Sequence, residues 1–341
     1  MGSDKIVFVR ADANASIASG HIMRCLTIAH CLRLHHAKVT FIVADSVSRQ
    51  ALLKQNETSI LCLDSVWNKM DSELDALVSL INTRHPDYFL LDSYSVTDSY
   101  MRTLQSLVKL VYLDDLQAFP YPANLIINYD FNVDTAFYGN TPALTGPAYT
   151  PLRPQFKDVS YVVSKKVSSI LLTTGATDPF HICTHFLSAL LENSCFTDTL
   201  SVVHILAGSL TPNTAFFDIQ NAPFSVQIHK NVSEMAALMA ECDLAFSAGG
   251  TTLFELCSVG VPSVSFSISN EQLPCVNAFD SMQVIPYIGD VRTDSDFYNV
   301  LLEKGAKIAE DFSYRKEISA HMRNYIDGKG AERITQSILA L

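Results

Sequence analysis

Short hydrophobic runs alternate along this chain with segments whose hydrophobic positions recur about every 3.6 residues. In the first half the runs are KIVFVR (5–10), VTFIVA (39–44), SILCLD (59–64), DYFLLD (87–92), KLVYLDD (109–115) and NLIIN (124–128). Segments such as HIMRCLTIAHCLR and DSELDALVSLINT lie between them. Runs rich in Val, Ile and Leu that are separated by helices predict a parallel β-sheet covered on both faces.

The alternation resumes after YGNTPALTGPAYTPLRP (138–154), whose four prolines and two glycines are typical of an interdomain passage. The later runs are SSILLTT (168–174), LSVVHILA (200–207), FSVQIH (224–229), DLAFSA (243–248), PSVSFSI (262–268) and QVIPYIG (283–289). From about residue 313 the chain is helical, with a break at IDGKGAERI (326–334). We predict one domain over 1–150, a second over 151–312, and C-terminal helices over 313–341 that pack back on the first.

This order of elements predicts an α/β protein of two Rossmann-like, doubly wound domains that face each other across a cleft. Sheets of this kind bind ligands at the carboxyl ends of their strands. The loops that follow the strands are therefore the places to look for function.

Composition excludes several classes of protein. The net charge is −11, from 24 basic and 35 acidic residues, and no basic stripe is present, so we expect no nucleic-acid partner. No hydrophobic run reaches the roughly 18–20 residues of a membrane span, so we expect no membrane insertion. Arg10 and Asp12 interrupt the N-terminus where a signal peptide needs an apolar core, and the eight cysteines form no C-x-x-C pair. We expect a cytoplasmic protein; its oligomeric state stays open.

The strongest candidate for ligand binding is DLAFSAGGTTLFEL (243–256), where a buried strand ends at Ser247 and two glycines precede a helix. Gly249 and Gly250 let the backbone approach a ligand, and the helix start at Thr251 favours an anion such as a diphosphate. Glu255 lies one turn further and is suited to ribose hydroxyls. A tight turn with a capping threonine and a surface glutamate is the alternative.

Two further loops of the second half follow strands. TTGATDPFH (173–181) contains Gly175, and Asp178 with Pro179 makes a natural helix start, so this loop either lines the cleft or merely turns. SNEQ places Asn270, Glu271 and Gln272 after the next strand. Such donors and acceptors suit sugar hydroxyls, although a capping Asn with polar first-turn residues explains them equally well.

In the first half, IASGHIMRC (17–25) puts His21 at a helix start directly after the first strand. A neutral imidazole there is a candidate general base, and a plain cap or surface group is the alternative. Asp92 and Tyr94 follow a later strand, and Asp92 or Asp114 is a candidate to orient the histidine ring. His181 with His185, and Asp294 with Asp296, superficially suggest metal ligands, but plain helices explain both pairs. We assign no metal and no cofactor.

Taken in order, the motifs G-H-I-M-R-C-L, D-S-Y, G-P-A-Y-T-P-L-R-P-Q-F, A-G-G-T-T-x-x-E-L, S-N-E-Q and I-D-G-K-G-A-E-R extend over nearly the whole chain. In them the chain resembles the UDP-sugar hydrolases of the pseudaminic acid pathway, which act on UDP-2,4-diacetamido-2,4,6-trideoxy-β-L-altropyranose. It is similar also to spore-coat polysaccharide proteins of that type and, more distantly, to the peptidoglycan N-acetylglucosaminyltransferase with its GT-B fold.

The resemblance implies a metal-independent enzyme of GT-B fold, in which His21 activates a water that attacks the anomeric carbon as UDP leaves, with inversion. Asp92 and Tyr94 complete the catalytic group. UDP binds the second domain, and the residues expected at the nucleotide are Gly175, Ser247, Gly249, Gly250, Thr251 and Glu255. Those expected at the sugar are Gly20, Arg24, Tyr94, Asn270, Glu271 and Gln272.

The sequence departs from the family pattern at three positions. Ala18 replaces the first glycine of G-x-G-H, Ser93 replaces the histidine of D-H-Y, and Ala176 replaces a glycine of G-G-x-D. These changes leave the fold as expected but do not fix the sugar. A glycosyltransferase that moves an amino sugar to an acceptor is the alternative enzyme, and a non-catalytic sugar-nucleotide sensor is the alternative from another class.

Overall fold

The computed structural model describes residues 4–14, 16–175, 177–192, 196, 199–208 and 222–341. Ala176 and Cys195 lie outside the described residues. The chain divides into two compact units, which we call unit 1 (Met1–Arg153 and Lys329–Leu341) and unit 2 (Pro154–Gly328). The segment 313–341, expected to pack as a whole on the first domain, is thus divided between the two units.

The described part of unit 1 holds one sheet of seven parallel strands, in the order β3-β2-β1-β4-β5-β6-β7. The strands are β1 Ile6–Ala11, β2 Lys38–Val43, β3 Ile60–Cys62, β4 Tyr88–Asp92, β5 Lys109–Leu113, β6 Leu125–Asn128 and β7 Ala143–Thr145. The helices that precede residue 154 are α1 Gly20–Leu34, α2 Ser46–Leu53, α3 Leu74–Arg84 and α4 Asp98–Leu107.

Both faces of this sheet are buried, as the apolar runs predict. Val7 and Val9 of β1 pack in one hydrophobic cluster with Ile28 of α1. Phe8, whose side chain points to the opposite face, packs in another cluster with Leu104 of α4. Each large apolar side chain buried in this way contributes about 1.5–3 kcal/mol to folding. The alternation of β1 between two covered faces is the reason why its sequence is apolar at nearly every position.

One strand lies where the sequence predicts only a passage between domains. β7 is three residues long, lies between Pro142 and Gly146, and pairs in parallel with β6. A segment so short and so bounded by turn residues carries no visible strand pattern. The segment is held in the sheet by hydrogen bonds with β6. In one of them, the N–H of Ile126 donates to the carbonyl of Pro142. The stretch 138–154 is therefore mostly part of unit 1.

The described part of unit 2 holds a second parallel sheet of six strands, in the order β10-β9-β8-β11-β12-β13. Its strands are β8 Ser169–Thr173, β9 Val202–Leu206, β10 Ser225–His229, β11 Leu244–Ala248, β12 Ser263–Ser267 and β13 Tyr287–Asp290. Its helices are α5 Ile182–Glu192, α6 Met235–Ala240, α7 Thr251–Val259, α8 Leu273–Ser281, α9 Phe297–Glu310 and α10 Phe312–Tyr325.

The last helix, α11 (Gly330–Leu339), returns to unit 1 and packs against α1. The break before it, predicted at 326–334, contains two glycines that lie close to other backbone segments. Gly328 has φ +74°, and a Cβ on it would lie 2.3 Å from the carbonyl oxygen of Phe156. A Cβ on Gly330 would lie 2.2 Å from the carbonyl oxygen of Thr150. Side chains do not fit at either position, so the close passage of this segment along the backbone of Phe156 and Thr150 requires glycine at both.

Unit 1 also buries a group of charges beneath the carboxyl end of β1. Arg10 is fully buried and donates from Nε and Nη2 to the two carboxylate oxygens of Glu73, at 2.8 and 2.9 Å. Its Nη1 donates to Asp12 at 2.5 Å. Tyr100 and Ser65 donate their hydroxyls to Glu73 as well, at 2.9 and 2.7 Å. The charges are paired in a fork geometry that only an arginine provides.

Candidate functional site

Each sheet has one point where the strand order reverses, and the candidate residues gather there. In unit 1 the reversal lies between β1 and β4, whose last residues, Ala11 and Asp92, are paired. In unit 2 it lies between β8 and β11, with Thr173 paired to Ser247. At such a point the loops leave in opposite directions and open a crevice at the carboxyl ends of the strands.

In unit 1, the structure brings His21 and Asp92 together although they are 71 positions apart. The Nδ1 atom of His21 lies 2.6 Å from Oδ1 of Asp92, and both residues are buried. Of the two acids suggested for this role, Asp114 is engaged elsewhere, because it accepts the hydroxyl of Tyr138 at 2.6 Å. The structure therefore selects Asp92 as the partner of His21.

The Asp92 carboxylate is held ionised. Burial by itself raises the pKa of this carboxyl, but the charge and hydrogen bonds of Arg24, together with the bond from His21, hold the pKa well below its ordinary value. An ionised carboxylate only accepts hydrogen bonds. Nδ1 of His21 must then carry the proton that is shared with Asp92, which leaves the lone pair of a neutral ring on Nε2.

Arg24 lies one turn beyond His21 on α1 and joins three strand ends. Its Nε and Nη2 donate to the two oxygens of Asp92, each at 2.6 Å. Its Nη1 donates to Asp115 and to the hydroxyl of Tyr129, each at 2.8 Å. The guanidinium is thus bound to acceptors at the end of β4 and in the loops after β5 and β6. The sequence places Arg24 at the sugar, whereas the structure gives its donors to protein groups.

Tyr94 borders the same cluster and reaches solvent. Its hydroxyl donates to Asp115 at 2.6 Å, and its ring meets the His21 ring edge to face at 4.6 Å between centroids. Burial, followed by the charge of Asp115, raises the pKa of the Tyr94 hydroxyl far above its ordinary value. The side chain therefore stays protonated at neutral pH. It is suited to enclosing His21 and offering an aromatic surface, which is 48% exposed, to a sugar.

The loop before His21 follows an unusual backbone course. Ala18 has φ +54°, a left-handed conformation that glycine adopts more easily. Asn14 stabilises the loop by accepting the N–H groups of Ser16 and Ile17 at 2.8 and 3.1 Å. A Cβ on Gly20 would meet no atom within 4 Å, so the space beside the start of α1 is open.

Unit 2 contains a pocket of about 420 Å³ at its strand reversal. This volume lies in the range of about 300–1,000 Å³ that is usual for small-ligand sites. The lining residues come from the loops after β8, β11 and β12: Thr174, Gly175, Thr177, Pro179, Ala248, Gly249, Gly250, Thr251, Thr252, Ile268, Ser269 and Gln272. The start of α7 lies in this wall, and no side chain of the described residues caps it. Its N–H groups and positive dipole end favour an anionic ligand.

The two glycines before α7 serve different purposes. A Cβ on Gly249 would lie 2.8 Å from Val276 and 2.9 Å from Gln272, so this glycine is required by packing against α8. Gly250 has φ +136° and would place a Cβ in open space. Gly250 therefore combines a conformation reserved for glycine with an uncovered backbone facing the pocket.

Thr174 is a pocket residue that sequence reasoning missed. It is 2% exposed and lines the pocket, and no hydrogen-bond partner of its Oγ1 lies within the described residues. The Cys183 thiol lies near it but is only a weak partner for a hydroxyl. Buried hydroxyls without a partner are rare, and one at the edge of a pocket is suited to a ligand. A sequence does not show whether a threonine hydroxyl is paired, so no sequence pattern could have indicated this residue.

The remaining predicted residues of unit 2 are placed differently. Ser247 is fully buried in β11 and donates its hydroxyl to the carbonyl of Ala248, away from the pocket wall. Glu255 is half-buried on α7 and does not line the pocket. Gln272 does line it, with Oε1 fixed at 2.9 Å by the N–H of Ile268. Its amide nitrogen is thereby oriented as a donor.

Asn270 and Glu271 lie just outside this wall, in a short 3-10 turn. Oδ1 of Asn270 accepts Nη2 of Arg292 at 2.6 Å, and Arg292 is itself paired with Asp290 at 2.6 Å. Asn270 and the loop after β13 are thus joined at the carboxyl end of the sheet. Arg292 places a positive charge there that motif comparison did not indicate.

Within the part of the chain that the structure describes, no group of three or more His, Cys, Asp or Glu side chains is arranged to hold a metal ion. Among the described helices, none has the length and apolar character to cross a membrane.

Comparison with known proteins gives three relatives at low identity. No protein-family model matches the chain. It is 22% identical over 339 residues to the spore coat polysaccharide biosynthesis protein SpsG of Bacillus subtilis, with 96% of both chains covered. It is 24% identical over 301 residues to an uncharacterized protein of Methanocaldococcus jannaschii, covering 80% of this chain and 58% of that protein.

The third relative is a Helicobacter pylori protein named as both a pseudaminic acid cytidylyltransferase and a UDP-2,4-diacetamido-2,4,6-trideoxy-β-L-altropyranose hydrolase. The identity is 21% over 254 residues, which cover 71% of this chain and 45% of that protein. The chain therefore spans only about half the length of two of the three relatives.

Solved structures match nearly the whole chain. The MurG structure of Acinetobacter baumannii has a TM-score of 0.74 at 14% identity and covers 99% of this chain and 100% of its own. The calicheamicin glycosyltransferase CalG4 has a TM-score of 0.66 at 14% identity, and the match covers 99% of this chain and 98% of CalG4. Arabidopsis thaliana UGT89C1 in complex with UDP has a TM-score of 0.67 at 13% identity, and the match covers 98% of this chain and 100% of UGT89C1. These matches confirm the predicted fold class, two Rossmann-like parallel-sheet domains of the GT-B type.

Proposed function

We propose that the protein cleaves a nucleotide-activated sugar and transfers the glycosyl group to an oxygen nucleophile that His21 deprotonates. The observation that carries the proposal is the buried pair of His21 and Asp92 at the strand reversal of unit 1. It leaves Nε2 of His21 as a base, which is the group that glycosyl transfer to a hydroxyl or to water requires.

Unit 2 is proposed to hold the nucleoside diphosphate. The uncapped start of α7 and the buried hydroxyl of Thr174 offer donors to phosphate oxygens, and the pocket has the volume for a ligand of this size. Arabidopsis UGT89C1, which shares the fold, has been solved with UDP and with UDP-L-rhamnose. We assign the diphosphate of UDP to the pocket, at Gly250 and Thr251. Glu255 lies outside the lining of the pocket, one turn further along α7, and is proposed for a ribose that extends beyond it.

The reaction is a single displacement. The O–H bond of the nucleophile breaks, and its proton passes to Nε2 of His21. The oxygen then bonds to the anomeric carbon, while the bond from that carbon to the β-phosphate oxygen breaks and its electron pair leaves with UDP. Donors at the start of α7 stabilise the charge that develops on the leaving group. The anomeric configuration is inverted by such a step.

Two nucleophiles fit this chemistry. Water makes the protein a hydrolase that releases UDP and a free diacetamido-trideoxy sugar, and the name of the Helicobacter relative favours this acceptor. A hydroxyl on a second molecule makes it a glycosyltransferase, which the names of the matching structures favour. SpsG, similar over the full length, is named for polysaccharide biosynthesis, which suits either reaction.

The deciding experiment incubates the protein with a panel of UDP- and CDP-amino sugars in water enriched in ¹⁸O, with mass spectrometry of the products. A hydrolase releases UDP without an acceptor and places ¹⁸O on the anomeric carbon. A transferase releases UDP only when an acceptor is added. Tight UDP binding with no turnover of any sugar, with or without acceptors, would show instead a sensor protein.

A first test concerns Thr174 in the nucleotide pocket. Thr174→Val should weaken UDP binding about tenfold or more, because a hydrogen bond to a charged phosphate is lost. Stability should stay unchanged or rise, since the valine removes a buried hydroxyl whose neighbour, the Cys183 thiol, is only a weak partner. Titration calorimetry with UDP, combined with thermal unfolding, measures both effects.

Thr335→Val is the matched control for this variant. Thr335 is fully buried in α11 of unit 1, and its hydroxyl also lacks a partner in the described chain. The control variant should keep the UDP affinity of the parent protein. Equal UDP affinity of the Thr174 variant and the parent would remove Thr174 from the nucleotide site.

A further inference from the structure

Arg24 is the most highly connected side chain of the unit 1 site, and its contacts decide what it can do. A guanidinium has five N–H donors in a fixed plane. Four of those of Arg24 meet both oxygens of Asp92, one of Asp115 and the hydroxyl of Tyr129, at 2.6 to 2.8 Å. Its Nη2 atom also lies 3.3 Å from Nδ1 of His21. The side chain is only 11% exposed, so its donors are directed mainly to protein groups through short, charge-assisted bonds.

The geometry couples Arg24 to His21 through Asp92. Oδ1 of Asp92 lies 2.6 Å from Nη2 of Arg24 and 2.6 Å from Nδ1 of His21, so one oxygen faces both side chains. The second oxygen is bonded to Nε of Arg24. The two bonds from Arg24 therefore fix the orientation of the carboxylate, and a remaining lone pair of Oδ1 is directed at the histidine ring.

Charge gives Arg24 a second effect on the same pair. Asp92 is bonded to the His21 ring, and Asp115 accepts the hydroxyl of Tyr94, whose ring meets that of His21. Arg24 is the cation paired with both carboxylates. Without it, the negative charge of these carboxylates would favour a protonated, charged imidazole at His21. A charged imidazole has no lone pair and cannot act as a base.

We infer that Arg24 is a positioning residue, which fixes and neutralises Asp92 so that His21 stays a neutral base with its lone pair on Nε2. The inference deepens the proposed function and rests on it for the catalytic consequence. Its structural part, the protonation state of one ring, can be measured without any substrate. In this inference Arg24 acts on His21 through Asp92 and does not make the sugar contact that the resemblance implies.

The test compares Arg24→Gln with the parent protein by ¹⁵N NMR of the histidine rings at pH 7.5, with the His21 signals assigned from His21→Gln. The parent should show His21 with the proton on Nδ1 and a free Nε2. Arg24→Gln should show the charged ring or a mixture of tautomers. An unchanged His21 spectrum in a folded Arg24→Gln variant would overturn the inference.

The kinetic arm separates positioning from sugar binding. Loss of positioning should lower kcat about 10²-fold with little change in KM, since a misplaced base affects the transition state and not ground-state binding. The acid limb of the pH–rate profile should move to higher pH. Guanidinium ion added to Arg24→Ala should restore part of kcat, whereas Arg24→Lys should not, because an ammonium lacks the planar fork. A large rise in KM at unchanged kcat would identify a sugar ligand instead.

Two control variants accompany these measurements. Arg33→Gln removes another arginine of α1 that is paired with a carboxylate, Glu57, at 2.7 Å, and it should leave the His21 spectrum and the pH profile unchanged. Asp130→Asn removes a carboxyl whose pKa is raised to about 6 by burial and by the nearby Asp115. If this variant keeps the parent's acid limb, Asp130 is not the group that causes it.

The outcomes keep the two proposals apart. A parent protein that turns over no nucleotide sugar, but whose His21 ring responds to Arg24→Gln, refutes the proposed function and supports the positioning role. A parent that turns over a sugar, with a ring that does not respond, refutes the positioning role alone.

Discussion

His21→Gln should lower turnover of the nucleotide sugar by about 10²–10⁴-fold, the contribution usual for a general base. The glutamine keeps a polar side chain of similar reach at the start of α1 but cannot accept a proton near neutral pH. UDP affinity should be unchanged, because the proposed nucleotide donors belong to unit 2. The measurement is the initial rate of UDP release, together with calorimetry of UDP binding.

His30→Gln is the matched control for the base. His30 lies on the same helix, is exposed, and is not part of the His21 cluster, so the variant should keep the parent's rate. Asp92→Asn should resemble His21→Gln in rate, since an amide at this position no longer holds the ring with its proton on Nδ1. A His21→Gln variant with the turnover of the parent would exclude His21 as the base.

The architecture of both units follows closely from the hydrophobic pattern. Twelve of the strands within the described residues coincide with predicted runs, because strands covered on both faces are apolar at nearly every position. β7 is the exception, since three residues between a proline and a glycine carry no periodicity of their own. Its place is set by pairing with β6, a long-range effect that a local pattern does not contain.

The candidate site was predictable in its location but not in its connections. The loops after the first and fourth strands could be selected because parallel sheets bind ligands at their carboxyl ends. That Asp92 and not Asp114 binds His21 depends on which carboxylate the neighbouring Tyr138 occupies. The bonds of Arg24 depend likewise on the sheet order that brings three strand ends around one guanidinium.

Packing likewise decides what each residue of a motif does. In A-G-G-T-T the first glycine, Gly249, is required by the approach of Gln272, whereas Gly250 leaves an open backbone. Ser247, two positions before Gly249, is fully buried in β11 and is not among the residues that line the pocket. The pattern indicates a ligand loop, and only the packed structure separates residues that face the ligand from those that support the turn.

Glu73→Gln should be the most destabilising of the substitutions considered, by about 3–5 kcal/mol, because it leaves the buried Arg10 without its main counter-charge. Glu73 accepts two bonds from Arg10, one from Tyr100 and one from Ser65. An amide lacks the negative charge and offers only one oxygen to these four donors. Such a loss is a large part of the roughly 5–15 kcal/mol that holds a typical protein folded.

The chain provides its own probe for this measurement. Trp67 is the single tryptophan of the sequence and belongs to unit 1, so its fluorescence during urea unfolding reports the unit that contains Glu73. The matched control is Asp98→Asn, which breaks an exposed pair with Arg102 in the same unit and should cost at most about 0.5 kcal/mol. A Glu73→Gln variant as stable as this control would mean that the buried charges contribute little.

A double-mutant cycle identifies the origin of the loss. If the cost of Glu73→Leu comes from an unpaired guanidinium, then adding Arg10→Met should recover part of it, because the buried charge is removed together with its partner. If the cost comes only from the cavity and the altered packing around Glu73, the two substitutions should add. Asp12 and Tyr100 lose a partner in the double variant, so recovery should be partial. Partial recovery in the double variant would therefore show that the cost comes from an unpaired charge. Additive losses would show that it comes from the altered packing.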